Sequence, residues 1–266
     1  MTYRQTLKHF IYSRCPGFRG SFPYCGARTY FPSSSVLFLK ACEQGIYEAN
    51  IVRLLARMTT AETYMYDVGA NIGLTSLPVL AWAPGSRVVS FEPSPNALDY
   101  LEKTHRGSPY CDRWQVIGRA VGKEVGTVSF SVSGPSHGDY DGLVDTHRSG
   151  ERQTVTVPIT TLDAFWDNAG RPRVSTIKLD IEGAETAALV GACNLIENQR
   201  PAIILEWYEE NLTAYGYRSE SLLSIADSLG YLVLSVPNLV TINEASTLLA
   251  HMLFAEAFLL LPKTRD

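Results

Sequence analysis

The chain has 266 residues, of which 45% are hydrophobic and 19% charged, and its formal net charge is −4. That much apolar material excludes intrinsic disorder, and a chain of this length buries enough surface to fold without a disulfide or metal staple. The acidic balance argues against a nucleic-acid partner, because proteins that grip phosphate backbones are usually basic.

Five cysteines, Cys15, Cys25, Cys42, Cys111 and Cys193, form no C-x-x-C pair. They read as buried or half-buried thiols in a reducing compartment. The opening MTYRQTLKHFIYSRCPGF lacks the apolar core of a signal peptide. The most apolar stretch, Leu248 to Pro262, is broken by His251 and Glu256 and is too short for a membrane span. A cytoplasmic protein is expected.

The length suits one α/β domain, residues 45–266, behind an N-terminal arm or cap, residues 1–44. Residues 13–35 are rich in Gly, Pro, Ser and aromatics, which predicts an irregular segment. A helical pattern follows with Ile46, Ile51, Leu54 and Leu55. From Tyr64 short β-runs alternate with helical stretches. The runs are Tyr64–Val68, Arg87–Phe91, Trp114–Ile117, Ser175–Leu179, Ala202–Trp207, Tyr231–Ser235 and a last one in Phe254–Leu261. Helices are expected from about Ile72, Pro95 and Ala184, and near Glu220–Leu229. Such alternation predicts a parallel sheet with helices on both faces and right-handed crossovers. Thr127–Val132 and Gln153–Ile159 instead alternate apolar and polar residues, the period of half-exposed antiparallel strands. They predict an inserted hairpin with a long tip carrying His137 and His147.

YMYDVGANIGLTSLPVL reads as strand, glycine turn and helix start. Gly69 and Gly73 permit a sharp turn and close ligand approach, and a helix start offers free N–H groups. The turn lacks the middle glycine of G-x-G-x-x-G, so it suits a pyrophosphate poorly. Asp67 adds a negative charge where phosphates would sit, which favours a cationic ligand. Glu92, at the tip of the next strand and about twenty residues on, is placed to accept ribose hydroxyls. Together these residues describe a site for an adenosine with an amino-acid tail, such as S-adenosylmethionine. Ala70 and Pro93 flank the turn and the acid and are assigned to the same site.

Ser175–Asp180 runs into Ile-Glu182-Gly-Ala-Glu185, and the following strand ends in Glu206. In a doubly wound sheet these tips share one crevice with Asp67 and Glu92. Asp180 and Glu206 are therefore expected at the methyl group or the acceptor. Glu185 reads as a first-turn acid complementing the helix dipole, and Lys178 as a strand-internal lysine paired with a carboxylate or reaching an edge.

DVGANIGLTS, FEPSPNALDYL, TTLD, IKLDIEGAE and PAIILEW, in that order and spacing, resemble the FkbM family of S-adenosylmethionine-dependent methyltransferases. The resemblance runs from about Gly45 to Gly230. It implies a class I methyltransferase fold: a Rossmann-like, doubly wound and mostly parallel seven-stranded sheet with an antiparallel last strand. It also implies methyl transfer, most often to a hydroxyl of a sugar or polyketide, with Asp67, Gly69, Asn71, Gly73 and Glu92 holding the cofactor. Residues 1–44 and the 133–150 loop lie outside the shared motifs and are expected to set acceptor specificity.

Methyl transfer from a sulfonium is an in-line displacement, so alignment supplies much of the acceleration. An aliphatic hydroxyl still needs a base or a metal. His137, in the loop beside Asp139 and Asp141, is the first candidate base and His147 its rival, although loop histidines are ordinarily just solvated. Asp180 is the other candidate, directly or through Mg²⁺ with Glu206. Two carboxylates suit such a cation without demanding it, and no metal ligand is assigned. Tyr12, Tyr24, Tyr30 and Tyr47 either line an acceptor cleft or fill the core. The expected partner is a small-molecule or saccharide acceptor, and the sequence leaves the oligomeric state open between a single chain and a homo-oligomer. A nicotinamide-dependent oxidoreductase, a non-catalytic cofactor binder and an RNA methyltransferase are the competing readings.

Overall fold

The computed structural model describes residues 3–14, 20–32, 35–133, 141–143 and 152–264. An arm comes first: helix α1 (Tyr3–Arg14), strands β1 (Ser21–Tyr24) and β2 (Ala27–Tyr30), and helix α2 (Val36–Gln44). Helix α3 (Ala49–Met58) leads into β3 (Tyr64–Val68), α4 (Ser76–Trp82), β4 (Arg87–Phe91), α5 (Pro95–Arg106) and β5 (Trp114–Ile117). The strands β6 (Ala120–Val121), β7 (Gly126–Ser133) and β8 (Arg152–Thr160) form a separate small sheet. Alternation resumes with α6 (Leu162–Asn168), β9 (Val174–Leu179), α7 (Glu185–Val190), α8 (Cys193–Gln199) and β10 (Ala202–Glu206). The chain continues through α9 (Glu209–Ala214), α10 (Ser221–Leu229), β11 (Tyr231–Ser235), β12 (Thr241–Ile242), α11 (Ala245–Met252) and β13 (Ala257–Pro262).

The main sheet has the order β12-β11-β13-β10-β9-β3-β4-β5. β5, β4, β3, β9 and β10 pair in parallel, and β13 lies antiparallel between β10 and β11. This is the expected mostly parallel sheet with an antiparallel last strand, extended at one edge by β12. The chain runs outward one way from β3 and the other way from β9, so the crevice between their carboxyl ends is the topological switch point.

Strand residues alternate between two cores, as the period of two requires. Tyr66, Phe91, Ile177 and Ile203 enter one cluster with α6, α7, α8 and α10. Met65, Val88 and Ile204 enter the other, with α3 and α4. The arm supplies Phe22, Tyr24, Phe31 and Phe38 to that second cluster, and Phe31 stacks on Phe38 with centroids 3.7 Å apart. The arm thus completes the cover of one sheet face.

Local chemistry fixes the element ends. Ser94 caps α5, its hydroxyl accepting from Asn96 N at 3.1 Å, with Pro95 at the first helical position. Thr161 caps α6 in the same way. β7 and β8 pair from Gly126↔Ile159 to Ser133↔Arg152, so the inserted hairpin is present; β6 adds a parallel strand to it.

Several expectations need correction. Residues 21–30 are a regular hairpin rather than an irregular segment. Cys25 and Gly26 both take positive φ, 47° and 81°, as a tight two-residue hairpin turn requires. The helix expected from Ile72 begins at Ser76, because Asn71 and Gly73 have φ of 48° and 89°, outside helical space. The last run is strand only from Ala257, and α11 ends just before it. Cys42 is buried and Cys25 half-buried, but Cys111 and Cys193 are exposed, at the start of a 3₁₀ turn and of α8. No helix among the described residues is long and apolar enough to cross a membrane.

Candidate active site

A cavity of about 420 Å³ opens at the carboxyl ends of β3, β4, β9 and β10. Its floor is the turn after β3. The N–H groups of Gly69 and Ala70 both donate to Phe91 O, at 3.0 and 3.1 Å, and Asp180 N donates to Val68 O at 3.0 Å. The three strand tips are thereby laced together. A Cβ on Gly69 would stand 1.8 Å from Asp180 O, so the glycine is needed for this close approach of chain to chain.

Glu92 is buried at the β4 tip. Its Oε2 accepts from Asn71 N and its Oε1 from Ser94 N, each at 2.8 Å. Burial pushes its carboxyl up to about 7, against the lowering by these two N–H groups, with Asp141 and Asp67 adding to the rise. Each oxygen keeps a further lone pair for a ligand hydroxyl.

Asp180 accepts from Lys178 Nζ at 2.6 Å. Burial of Lys178 works against its charge, yet Asp180, Asp67 and Glu48 hold its ammonium above the ordinary lysine range. Asn211 Nδ2 donates to both Glu182 and Glu206 at 3.0 Å. Burial, and then the nearby Asp180, Glu182 and Glu185, hold the Glu206 carboxyl well above its ordinary value. Asp180, Glu182 and Glu206 each place one oxygen within 4.8 Å of the others, a spacing open to a cation. Between Glu182 and Glu206, the Asn211 amide supplies the positive end instead.

The structure gathers Gly69, Ala70, Asn71, Glu92, Pro93, Asp180 and Glu206 around the one cavity. Two assigned residues do not line it. Asp67 is fully buried under the floor, where Ser76 Oγ donates to its Oδ2 at 2.5 Å. Burial raises its carboxyl, opposed by Lys178 and by Ser76. Gly73 packs against the side chains of Leu101 and Trp114. Both therefore support the turn from behind. Glu185 is buried at the start of α7 and accepts from Ile181 N at 2.9 Å, so its role is in the turn. His137 and His147 lie outside the described residues. Of the four tyrosines, Tyr47 lines the cavity. Tyr12 packs on Phe22 and Phe38, and Tyr30 lies on β2.

Sequence reasoning missed Lys40 and Glu48, which come from the arm and the start of α3, and Leu143 from the hairpin side. Glu48 precedes a helix, where an acid reads as a cap, so no local signal separates it from one. Asp141, noted only as a neighbour of His137, proves to be a tether. Its carboxylate accepts from Ser133 N at 2.7 Å, from the Ser133 and Ser94 hydroxyls at 2.6 and 2.5 Å, and from Asn96 Nδ2 at 3.2 Å.

The sheet order and the acid-tipped crevice define a class I methyltransferase fold. The family model for the methyltransferase FkbM domain matches residues 67–233. The chain belongs to this family of S-adenosylmethionine-dependent methyltransferases, which removes the nicotinamide reading. A hexuronic acid methyltransferase, AglP, from Haloferax volcanii is 26% identical over 59% of this chain and 61% of that protein. An antimetabolite synthetase, AmbE, from Pseudomonas aeruginosa is 23% identical over 64% of this chain and 10% of that protein. The chain thus spans less than two thirds of either relative. A crystal structure of an FkbM methyltransferase from Methylobacillus flagellatus KT superposes with a TM-score of 0.50 at 19% identity, covering 76% of this chain and 44% of that one.

Proposed function

We propose that this methyltransferase moves a methyl group from S-adenosylmethionine to a hydroxyl of a saccharide or a related polyhydroxylated small molecule. The observation that carries the reading is the convergence of Glu92, the Gly69–Asn71 turn, Asp180 and Glu206 on one acidic cavity. The donor set fits the group: carboxylates favour a sulfonium and an ammonium, and Glu92 has lone pairs for two ribose hydroxyls. S-adenosylmethionine supplies an already activated methyl group. Glu92 orients the nucleoside, and the Lys178 ion pair fixes Asp180 at the acceptor side. Orientation of this kind can supply about 7–11 kcal/mol of the barrier. The likeness to AglP supports a sugar acceptor. The arm, which brings Lys40 to the cavity, and the hairpin carrying Asp141 are the proposed determinants of acceptor choice. This reading needs no metal ion.

The test is ligand stabilisation followed by turnover. S-adenosylhomocysteine at about a hundred times its Kd is expected to stabilise the fold by about 2.7 kcal/mol, or about 5 °C or more in Tm. Transfer of labelled methyl to methyl glycosides then tests the acceptor class. An unchanged Tm at millimolar ligand defeats the proposal. Binding without turnover on a broad panel of hydroxylated acceptors marks a non-catalytic member instead.

A further inference from the structure

We infer that the outward face of helix α1 docks the protein on an anionic lipid surface. The inference goes beyond the methyl-transfer reading and does not rest on it. Charge is divided unevenly along the chain. Residues 1–42 hold six basic residues, Arg4, Lys8, Arg14, Arg19, Arg28 and Lys40, and no aspartate or glutamate. Their +6 leaves −10 for the remaining residues of a chain whose formal net charge is −4. Such a division points to an anionic partner for the basic part. It also orients the molecule, because a negative surface repels the acidic bulk and draws in the basic end.

The structure sets apolar side chains within that basic region. On the inner face of α1, Tyr12 packs on Phe22 and Phe38, each with centroids 6.1 Å apart. Gly20 N donates to Tyr12 O at 3.0 Å, which fixes the end of the helix to the arm. Leu7 and Phe10, three residues apart and so on one face, are instead 46% and 55% exposed. Arg14, four residues beyond Phe10, shares that face, and Lys8 flanks it. Both are exposed, and neither makes an ion pair or a hydrogen bond among the described residues. An outward apolar pair with basic neighbours is the pattern of a helix lying in a membrane interface. The arm beneath is tied to the cavity. Tyr24 donates its hydroxyl proton to Leu74 O at 3.0 Å and accepts from Tyr47 N at 3.2 Å. Helix α2, which carries Phe38, also lines the cavity with Val36, Leu37 and Lys40. A docked α1 therefore sets the cavity in a fixed orientation to the lipid surface.

Other occupants satisfy only part of this face. A two-fold contact with a second copy would set Lys8 and Arg14 near their own equivalents, a like-charge contact. A nucleic acid would match the charge but would leave Leu7 and Phe10 without an apolar partner. Leu253 and Phe254 are more exposed, at 78% and 91%, but they lie just before Glu256 in the acidic part of the chain. An anionic bilayer answers both features of α1: its headgroups take the basic side chains and its acyl boundary takes Leu7 and Phe10.

The experiment is flotation of the full chain with vesicles of phosphatidylcholine and phosphatidylglycerol in equal parts, against phosphatidylcholine alone. The wild type is expected to float with the mixed vesicles and to stay behind with the neutral ones. The double variant Leu7→Ser, Phe10→Ser should lose about tenfold or more in vesicle affinity. Lys8→Gln and Arg14→Gln should each lose about fivefold, and Phe254→Ser should float as the wild type does. All of these variants should keep the wild-type Tm, because the exchanged side chains face solvent. A second readout is direct: emission from Phe10→Trp, taken as a difference from the wild type, should shift to the blue with mixed vesicles. A wild type that ignores the mixed vesicles, or floats equally with neutral ones, overturns the inference. So does an equal loss in Phe254→Ser, or an unmoved emission from Phe10→Trp. A dimer dissolved by the double variant, without vesicle binding, assigns the face to a second copy instead. Salt-sensitive binding of RNA without vesicle binding assigns it to nucleic acid. Failure to bind S-adenosylhomocysteine would overturn the methyl-transfer reading and leave the flotation result standing.

Discussion

The two halves of the cavity are built on opposite electrostatic principles. On the β3–β4 side one buried carboxylate, Glu92, is satisfied by two backbone N–H groups from rigid turns. On the β9–β10 side Asp180, Glu182 and Glu206 crowd together, with one lysine and one asparagine amide between them. The first arrangement is a socket whose donors are fixed by the backbone. The second is a charged surface short of donors. Backbone donors give fixed geometry; side-chain donors can be changed by substitution.

The socket should break most severely at Gly69. Gly69→Ala sets a Cβ 1.8 Å from Asp180 O at a φ of 85°, so the turn and the β9 tip must part. We expect a loss of 3 kcal/mol or more in unfolding free energy, on the order of the severe core effects, read from the urea midpoint, together with loss of S-adenosylhomocysteine binding. Wild-type stability in this variant would show that the strand tips are not laced as described. Next comes Glu92→Gln, which exchanges a charged acceptor for a neutral one. A charge-assisted pair of bonds of about 1.5–3 kcal/mol implies a loss of roughly ten- to a hundredfold in S-adenosylhomocysteine affinity, with kcat at saturation much less affected.

Acidity sharpens the contrast further. Burial raises Glu92 to about 7 and Glu185 to about 8. A carboxyl raised by folding binds more protons in the folded chain than in the unfolded one. Its contribution to stability is therefore complete below the ordinary carboxylate range and is lost as pH rises toward 7 and 8. Unfolding free energy of the ligand-free protein should fall between pH 5 and 8, by up to about 1.4 kcal/mol per pH unit for each group, and Glu185→Gln should flatten the upper part. Affinity for S-adenosylhomocysteine should move the other way, rising across pH 6 to 8 as Glu92 ionises. Parallel trends in the two measurements would refute the assignment of Glu92 to the ribose. The smallest effect is expected at Ser94→Ala, about 1 kcal/mol from the lost cap, accompanied by release of the Asp141 tether. Faster proteolysis of the hairpin, with the rest of the fold protected, would report that release.

The socket was legible because its parts are local. A strand, a glycine turn and an acid about twenty residues later all lie in one β-α-β unit, and the structure brings Gly69, Ala70, Asn71, Glu92 and Pro93 to the same cavity. The acid tips Asp180 and Glu206 followed from strand order alone. Asp67 and Gly73 belong to the same motif but lie behind the floor, and motif spacing carries no sign of which face a residue takes. The β1–β2 hairpin was hidden because Gly, Pro and Ser read as breakers, although Cys25 and Gly26 are the two turn residues of a regular ribbon. Glu48 and Lys40 were invisible for a deeper reason. They reach the cavity only through the packing of the arm on a face of the sheet, a long-range event with no local pattern.

The Tyr24 hydroxyl joins two pieces of chain, Leu74 beside the glycine turn and Tyr47 at the cavity wall. Exchange of the arm would therefore disturb the glycine-turn end of the cavity as well. A successful graft would have to carry this phenol and its two partners as a single inherited unit.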